Sequence, residues 1–456
     1  MKFPLRKSEN DVVIISEKGN VVIYNSILNN PLYFDSKSYI FFEATNIINE
    51  EDYLNANSDV KEVIESMVDS YLFLEPGVNE YTICKSINNE YLKAFEQGKT
   101  IKWIDLHVSD ACNFGCPHCI AGNDKKNLLM TFDESKKLLD SYIAFIKKHN
   151  SDLHTLNIHF GSCEPLLNFS VIKNICIYLN DSYSDFILNM LLNTNLSLLT
   201  KEMADFFRDN NIEVCTSLDG TKVYNDRIRT YPDGSGTYDD IISAMQIMYD
   251  AGTPVDGISI TLTEKNYEGI HDFLDWCIKQ RMKSIAIDFD LIHSTNILIE
   301  EKARFIVETY KKLKGNGIEF HGTWMTPFLN LCNCTNASNL VTFCRSNAGE
   351  NCSVNANGII SVCSYSDKII GNMNSLEVDI KPEGSYYNFV SDHLIGNVNN
   401  KRCNGCELEG SCVGQCQISQ DELTQEYFDE QCDYFRLVTK YMLQNLADEV
   451  ALEQFY

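Results

Sequence analysis

The sequence predicts an α/β fold of six consecutive βα units, on three observations. Between residues 101 and about 320 apolar strand patterns alternate with helical ones. The first of these strands runs straight into a loop holding three closely spaced cysteines, and beyond about 320 the alternation gives way to loop-rich sequence studded with more. A βα series demands parallel strands with right-handed crossovers. Six repeats are too few for a closed eight-stranded barrel.

Residues 1–90 open with two short strand patterns, Val12–Ile15 and Val21–Tyr24, around the turn Glu17-Lys-Gly-Asn20. Helical patterns follow at Ser36–Thr45 and Asp59–Tyr71. In the second, Val60, Val63, Ile64, Met67, Val68 and Tyr71 make one apolar stripe. Leu72-Phe-Leu74 closes the segment as a short strand. Residues 101–320 carry strand patterns at 101–108, 155–160, 186–193, 212–218, 255–262 and 284–291. Helical patterns lie between them at 131–148, 170–182, 199–210, 237–251 and 267–281. Thr131 and Glu134 form a capping box at the start of the first helix. Residues 321–456 are cysteine-rich and end in a helical stretch at roughly 419–449.

Composition narrows the function. A formal charge of −26 leaves no basic footprint for nucleic acid, and suits solubility or a basic peptide alike. No run reaches the ~18 apolar residues of a membrane span, and the N-terminal residues lack the apolar core of a secretion signal. Eighteen cysteines in such a chain point to metal ligation in a reducing compartment, so a cytoplasmic protein is expected.

The strongest motif is Cys112-Asn-Phe-Gly-Cys116-Pro-His118-Cys119, spaced Cys-x3-Cys-x2-Cys after the strand ending near Val108. Three thiolates can hold three irons of a cubane cluster and leave the fourth open to a ligand. A zinc knuckle is the competing reading, but zinc sites want four closed ligands, commonly paired as Cys-x2-Cys.

The spacing resembles the signature of radical S-adenosylmethionine (radical SAM) enzymes. There the open iron chelates the amino and carboxylate groups of SAM, whose reductive cleavage yields a 5′-deoxyadenosyl radical. The resemblance implies a partial (β/α)6 barrel with SAM at the C-terminal strand ends. Gly161-Ser162-Cys163-Glu164-Pro165 resembles the family's Gly-Gly-Glu-Pro motif, with Ser162 and Cys163 replacing the glycines. It implies that Glu164 binds the methionyl ammonium. Asn193-Thr194-Asn195 resembles the Thr-Asn-Gly turn and places Asn195 near SAM. Ser217-Leu-Asp219-Gly220, followed by Asn225-Asp226-x-x-Arg229 and Gly234-x-Gly236-Thr-Tyr238, resembles a further family run. It implies that Ser217 contacts the ribose or carboxylate end of SAM and Arg229 its carboxylate.

The C-terminal cysteines resemble the SPASM extension, which carries two auxiliary 4Fe–4S clusters. The resemblance assigns Cys344, Cys352, Cys363 and Cys416 to cluster I, with Cys332 or Cys334 as substitutes for Cys352, or an open corner for a substrate thiol. It assigns Cys403, Cys406, Cys412 and Cys432 to cluster II. Residues 1–90 resemble the winged-helix-like module by which peptide maturases capture a leader through an edge strand.

Together these resemblances imply a radical SAM peptide maturase with three 4Fe–4S clusters and SAM. Its expected partners are a leader-bearing precursor peptide and a flavodoxin- or ferredoxin-type donor, with no nucleic acid and no membrane. The expected product is a thioether cross-link in a cysteine-rich peptide. Carbon–carbon cross-linking and sulfatase activation to formylglycine are the alternatives, and a non-catalytic iron–sulfur scaffold is the rival class. Asp288 and Asp290, at the end of the sixth strand, are the candidate bases.

Overall fold

The computed structural model describes residues 1–120, 128–291, 293, 295–332, 342–398 and 402–453. The N-terminal section contains β1 (Leu5–Lys7), β2 (Asp11–Ile15), β3 (Val21–Asn25), β4 (Asn29–Phe34), β5 (Ile47–Ile48) and β6 (Phe73–Leu74). β2, β3 and β4 form an antiparallel sheet, and β1 pairs with both β5 and β6. Helices Ser36–Ala44 and Ser58–Asp69 lie where their apolar spacing predicts, and helix Glu80–Glu96 adds a third long piece. β1, β4 and β5 are unexpected, and β4 is the longest of them. Pro31 and the left-handed Asn29 and Asn30, both at φ 63°, break the pattern by which strands are recognised. Its presence makes β3 a central strand and leaves β2 and β4 as the edges.

All six expected βα strands form: β7 (Trp103–Leu106), β8 (Thr155–Phe160), β9 (Ile187–Thr194), β10 (Glu213–Ser217), β11 (Gly257–Leu262) and β12 (Ser284–Phe289). They lie parallel and in order, with β13 (Glu319–His321) added parallel beyond β12. At the other edge the cysteine-rich section joins the same sheet. β14 (Asn351–Val354) pairs parallel with β7, then β15 (Ile359–Ser361) and β16 (Ile369–Asn372) continue antiparallel. Cys352 on β14 and Cys363 just beyond β15 are thereby anchored to the sheet that carries the first cysteine loop.

Strands in a parallel sheet covered on both faces usually read as continuous apolar runs. Here β8 and β12 alternate strictly, with every second residue fully buried. Ile158, Phe160, Ile285 and Ile287 pack under the helices, while Asn157, His159, Ala286 and Asp288 turn to the other face. Residues from β7 through β12 wall one cavity, so the sheet curls around it with its polar face inward. The Thr131–Glu134 capping box is present: Glu134 N donates to Thr131 Oγ1 at 3.3 Å, and Thr131 N to Glu134 Oε2 at 2.6 Å.

The first ninety residues share a core with the rest. Ile14, Val22 and Tyr24 pack with barrel residues such as Ile258 and with Phe435 and Val438 of helix Gln425–Glu453. No helix among the described residues is long and apolar enough to cross a membrane. The joint closes at Gly410, whose N donates to Ser26 O at 2.7 Å and whose O accepts from Asn29 Nδ2 at 3.1 Å. A Cβ at 410 would sit 1.9 Å from Ile27 O. Gly410→Ala should therefore prise this joint open. Amide exchange at Ser26–Asn29 should accelerate while β8 and β12 keep their protection. Unaltered exchange at Ser26–Asn29 would mean that the joint tolerates a side chain.

Candidate functional site

The three-cysteine loop leaves β7 and is pinned at several points. Asp110 N donates to Leu128 O at 2.9 Å, and Gly115 N to Thr230 O at 2.8 Å. A Cβ at Gly115 would lie 3.2 Å from Pro232 Cα, so a larger residue would push the loop off the backbone beneath it. Phe114 packs edge-on to Tyr231, with ring centres 5.1 Å apart. Cys112, Cys116 and Cys119 all open on a cavity of about 660 Å³. Among the described residues no three His, Cys, Asp or Glu side chains converge tightly enough for a single ion. Thiolates of a cubane each bind a different iron and so stand farther apart, which makes three thiols around one cavity end a donor set that fits such a cluster.

The loop is tied to the strand ends by a buried carboxylate. Asp219, fully buried just beyond β10, accepts from Arg229 Nε at 2.8 Å and Nη2 at 2.7 Å through one oxygen. The other oxygen accepts from Thr261 N at 2.8 Å, and His118 Nε2 lies 3.4 Å from Oδ2. Arg229 does line the cavity, but two of its nitrogens serve this pair. Asp219 was visible in the sequence inside its Ser-Leu-Asp-Gly run, yet spacing alone gave it no role.

Glu164 holds a second corner. Its oxygens accept from Thr194 Oγ1 at 2.6 Å, Leu166 N at 2.9 Å and Asn195 N at 2.8 Å. It is fully buried and not part of the cavity wall. Burial pushes its carboxyl up to about 7 against the pull of those three donors. Glu164 thus reaches the cavity only through what it holds, the end of β9 and the turn before Pro165. Asn195 and Ser217 do line the cavity. Asn195 Nδ2 also donates to Asn113 Oδ1 at 2.9 Å and braces the cysteine loop.

Ser162 and Cys163 occupy the positions where glycines were expected, and their backbones are left-handed, at φ 67° and 32°. The turn keeps a glycine-type conformation without glycine, at a cost of about 1–2 kcal/mol per residue. Gly161 is needed for another reason: a Cβ there would strike the His159 ring at 2.5 Å. His159 and Asp105, whose Nδ1 and Oδ1 stand 3.4 Å apart, also wall the cavity. Only the alternation of β7 and β8 could have pointed to them.

The C-terminal thiols fall into two groups. Cys403, Cys406, Cys412 and Cys432 line one small chamber together with Arg402 and Arg436, and burial pushes the Cys403 thiol up to about 12. Four thiols so placed fit a closed cubane, whose irons would hold them as thiolates. Cys363 and Cys416 open on the main cavity, and Cys344 and Cys416 are the thiols closest to Cys363 in charge coupling. Cys352 is not brought to them. It pairs in register with Ile104 on the helix-covered face of β14, fully buried near Tyr142 and Tyr386, whereas its neighbour Ser353 is in register with Asp105 on the cavity side. Strand alternation separates it from Cys363. Cys332 ends helix Met325–Cys332 and packs, with Cys344 and Cys416, against the same core. Cys334 lies outside the described residues.

Both candidate bases line the cavity. Asp288 Oδ1 accepts from Thr323 N and Oγ1, each at 2.7 Å. Burial pushes its carboxyl up to about 6. Asp290 accepts from His293 N at 3.1 Å, and its Oδ2 lies 2.9 Å from His293 Nδ1.

Comparison with known proteins agrees with this geometry. Residues 106–277 match the model of the radical SAM superfamily and form a radical SAM domain, which implies a 4Fe–4S cluster and SAM. The chain is 24% identical over 419 residues to the radical SAM cyclopropyl synthase TigE of Paramaledivibacter caminithermalis, covering 88% of this chain and 86% of that protein. It is 32% identical over 188 residues to the uncharacterised protein MJ0907 of Methanocaldococcus jannaschii, 41% of this chain and 62% of that one. Among solved structures, native anSMEcpe with bound AdoMet shares the fold at a TM-score of 0.59 and 15% identity, over 76% of this chain and 99% of that one. Streptococcus suis SuiB bound to its precursor peptide SuiA does so at 0.53 and 15%, over 91% and 96%. These relations make the chain an enzyme.

Glu164→Gln tests the second corner. A glutamine oriented to keep the bonds from Thr194 and Leu166 would set its amide nitrogen against Asn195 N, donor against donor. The mismatch should cost about 1–3 kcal/mol, read as a lowered melting temperature and weaker SAM binding with iron content unchanged. Full SAM affinity in this variant would remove Glu164 from the account of the pocket.

Proposed function

We propose that this enzyme, built around the radical SAM domain at 106–277, matures a ribosomally made precursor peptide by forming a bond at one of its carbons. The observation that carries the proposal is that two sets of thiols meet at one cavity. Cys112, Cys116 and Cys119 line it, and so do Cys363 and Cys416 of the C-terminal section. At about 660 Å³ it falls within the ~300–1,000 Å³ of ligand sites.

Cys112, Cys116 and Cys119 would hold the 4Fe–4S cluster, with Asn195, Ser217 and Arg229 beside its SAM. When bound, this pair would supply a carbon radical able to take a hydrogen atom from a peptide carbon. Cys403, Cys406, Cys412 and Cys432 would hold one auxiliary cluster. Cys344, Cys363 and Cys416 would hold three corners of another, leaving the fourth to Cys332 or to a thiol of the peptide. Asp288 is placed to take the proton that bond formation releases, because it lines the cavity and burial pushes its carboxyl up to about 6. The electron left over would pass to an auxiliary cluster. In the N-terminal section, capture of a leader would fall to β2, an edge strand of its sheet. The bonds from Ser16 N to Asn20 O and from Ser26 N to Asn10 O put even-numbered residues of β2 in the ladder with β3. Val13 therefore turns its N–H outward.

Two bonds are open to such a site. Similarity to a cyclopropyl synthase over 88% of the chain favours a carbon–carbon bond. The three-thiol group at the cavity favours a thioether, as the cysteine pattern predicts. Either removes two hydrogens from the peptide, but only the thioether consumes a cysteine. Mass spectrometry after thiol alkylation separates them.

Reconstituted protein should hold about twelve irons per chain, and the Cys112→Ala, Cys116→Ala, Cys119→Ala variant about eight, by four irons per cubane. Equal iron in the two proteins would refute the assignment. Peptide conversion should fall as pH drops through about 6, where Asp288 gains its proton and the base is lost. In Asp288→Asn the conversion should be reduced at least ten-fold, while SAM cleavage to 5′-deoxyadenosine continues. Full conversion by this variant would assign the proton to another group.

A further inference from the structure

Gln415 stands between the two groups of C-terminal thiols. Its neighbour Cys416 opens on the main cavity, while its own side chain turns back to the other group. Gln415 Nε2 donates to Cys432 Sγ at 2.8 Å and approaches Phe428 O at 3.4 Å. The residue is 1% exposed, so water does not compete for that donor.

The backbone that aims this side chain is costly. Val413, Gly414 and Gln415 are left-handed in succession, with φ of 47°, 84° and 72°. Only glycine adopts that conformation freely. A glutamine stands where glycine would be less strained, and its amide donates to a sulfur. The helix leaves this sulfur no free backbone donor, and the cationic side chains of the same chamber are Arg402 and Arg436. Cys432 lies inside helix Gln425–Glu453, where backbone N–H groups are used by the helix itself. Cys406, by contrast, lies in a loop and takes a backbone bond from Leu408 N at 3.5 Å.

A hydrogen bond to a ligand sulfur draws electron density from it and stabilises the more negative, reduced state of a cluster. We propose that Gln415 raises the reduction potential of the cluster held by Cys403, Cys406, Cys412 and Cys432 above the value it would have without that hydrogen bond. This rests on the reading of those four thiols as a cluster site. Gln415 is a positioning residue that acts through Cys432 and touches no substrate.

The test compares full-length reconstituted protein with Gln415→Leu and Gln415→Glu, by iron content and by electron paramagnetic resonance at controlled potentials. Both variants should keep their iron. One midpoint potential should move to a more negative value, with a changed signal for that cluster alone, and further in Gln415→Glu, whose carboxylate adds negative charge. Unchanged midpoints with full iron overturn the proposal. Loss of about four irons in both variants also overturns it, since Gln415 would then hold the ligands rather than tune the metal. If the unsubstituted protein itself carries no cluster at these cysteines, the cluster assignment falls first and the role of Gln415 with it. Iron content distinguishes the two failures.

Discussion

The carboxylate of Asp219 is the constraint on which the site depends. A fully buried charge is tolerated only when paired and hydrogen-bonded, and here the partners come from separate parts of the chain. Arg229 lies ten residues on, Thr261 on the next strand, and His118 in the cysteine loop. One carboxylate thus joins Arg229 to the backbone of β11, with His118 of the cysteine loop 3.4 Å away. Removing a partner from a buried pair costs about 3–5 kcal/mol. The same pairing explains why Arg229 meets the cavity as a braced side chain rather than a free one. Two of its nitrogens are held by Asp219 while the side chain still lines the cavity.

Around that anchor, the polarity of the curled sheet does the sorting. Apolar residues of β7 to β12 face the helices, and residues such as Asp105, His159, Asn193, Ser217 and Asp288 face the cavity. The cysteine-rich section is not an appendage, because β14 extends the sheet from β7 and brings Cys363 to the cavity wall. The N-terminal section is likewise bound in, through a core it shares with the last long helix and through Gly410. Loop thiols, strand ends and C-terminal thiols are held by one continuous framework.

Much of this was legible in the residues. The six βα strands appear where the patterns place them, because each strand buries one face completely and the period-two signal is strong. The capping box at Thr131 is equally local. What the sequence hid depends on direction or on distant partners. β4 is masked by Pro31 and two left-handed asparagines. Cys352 has the spacing of a ligand, but strand alternation turns it to the helix side. Glu164 has the position of a cofactor contact, and three donors from β9 and its own turn occupy it instead. Ser162 and Cys163 depart from the expected glycines in type but not in conformation, which no propensity reports. In each case the side chain's surroundings, set by distant residues or by strand direction, are what spacing does not show.

The central claim is that Cys112, Cys116 and Cys119 hold a cluster with one iron open to SAM. Electron paramagnetic resonance of the reduced protein, with and without SAM, tests it most directly when repeated on the variant in which all three are alanine and the C-terminal cysteines are intact. The account predicts that SAM alters one cluster signal in the unsubstituted protein, and that this signal and its response both vanish in the variant. A spectrum indifferent to SAM, or a SAM response that survives the three substitutions, would contradict it.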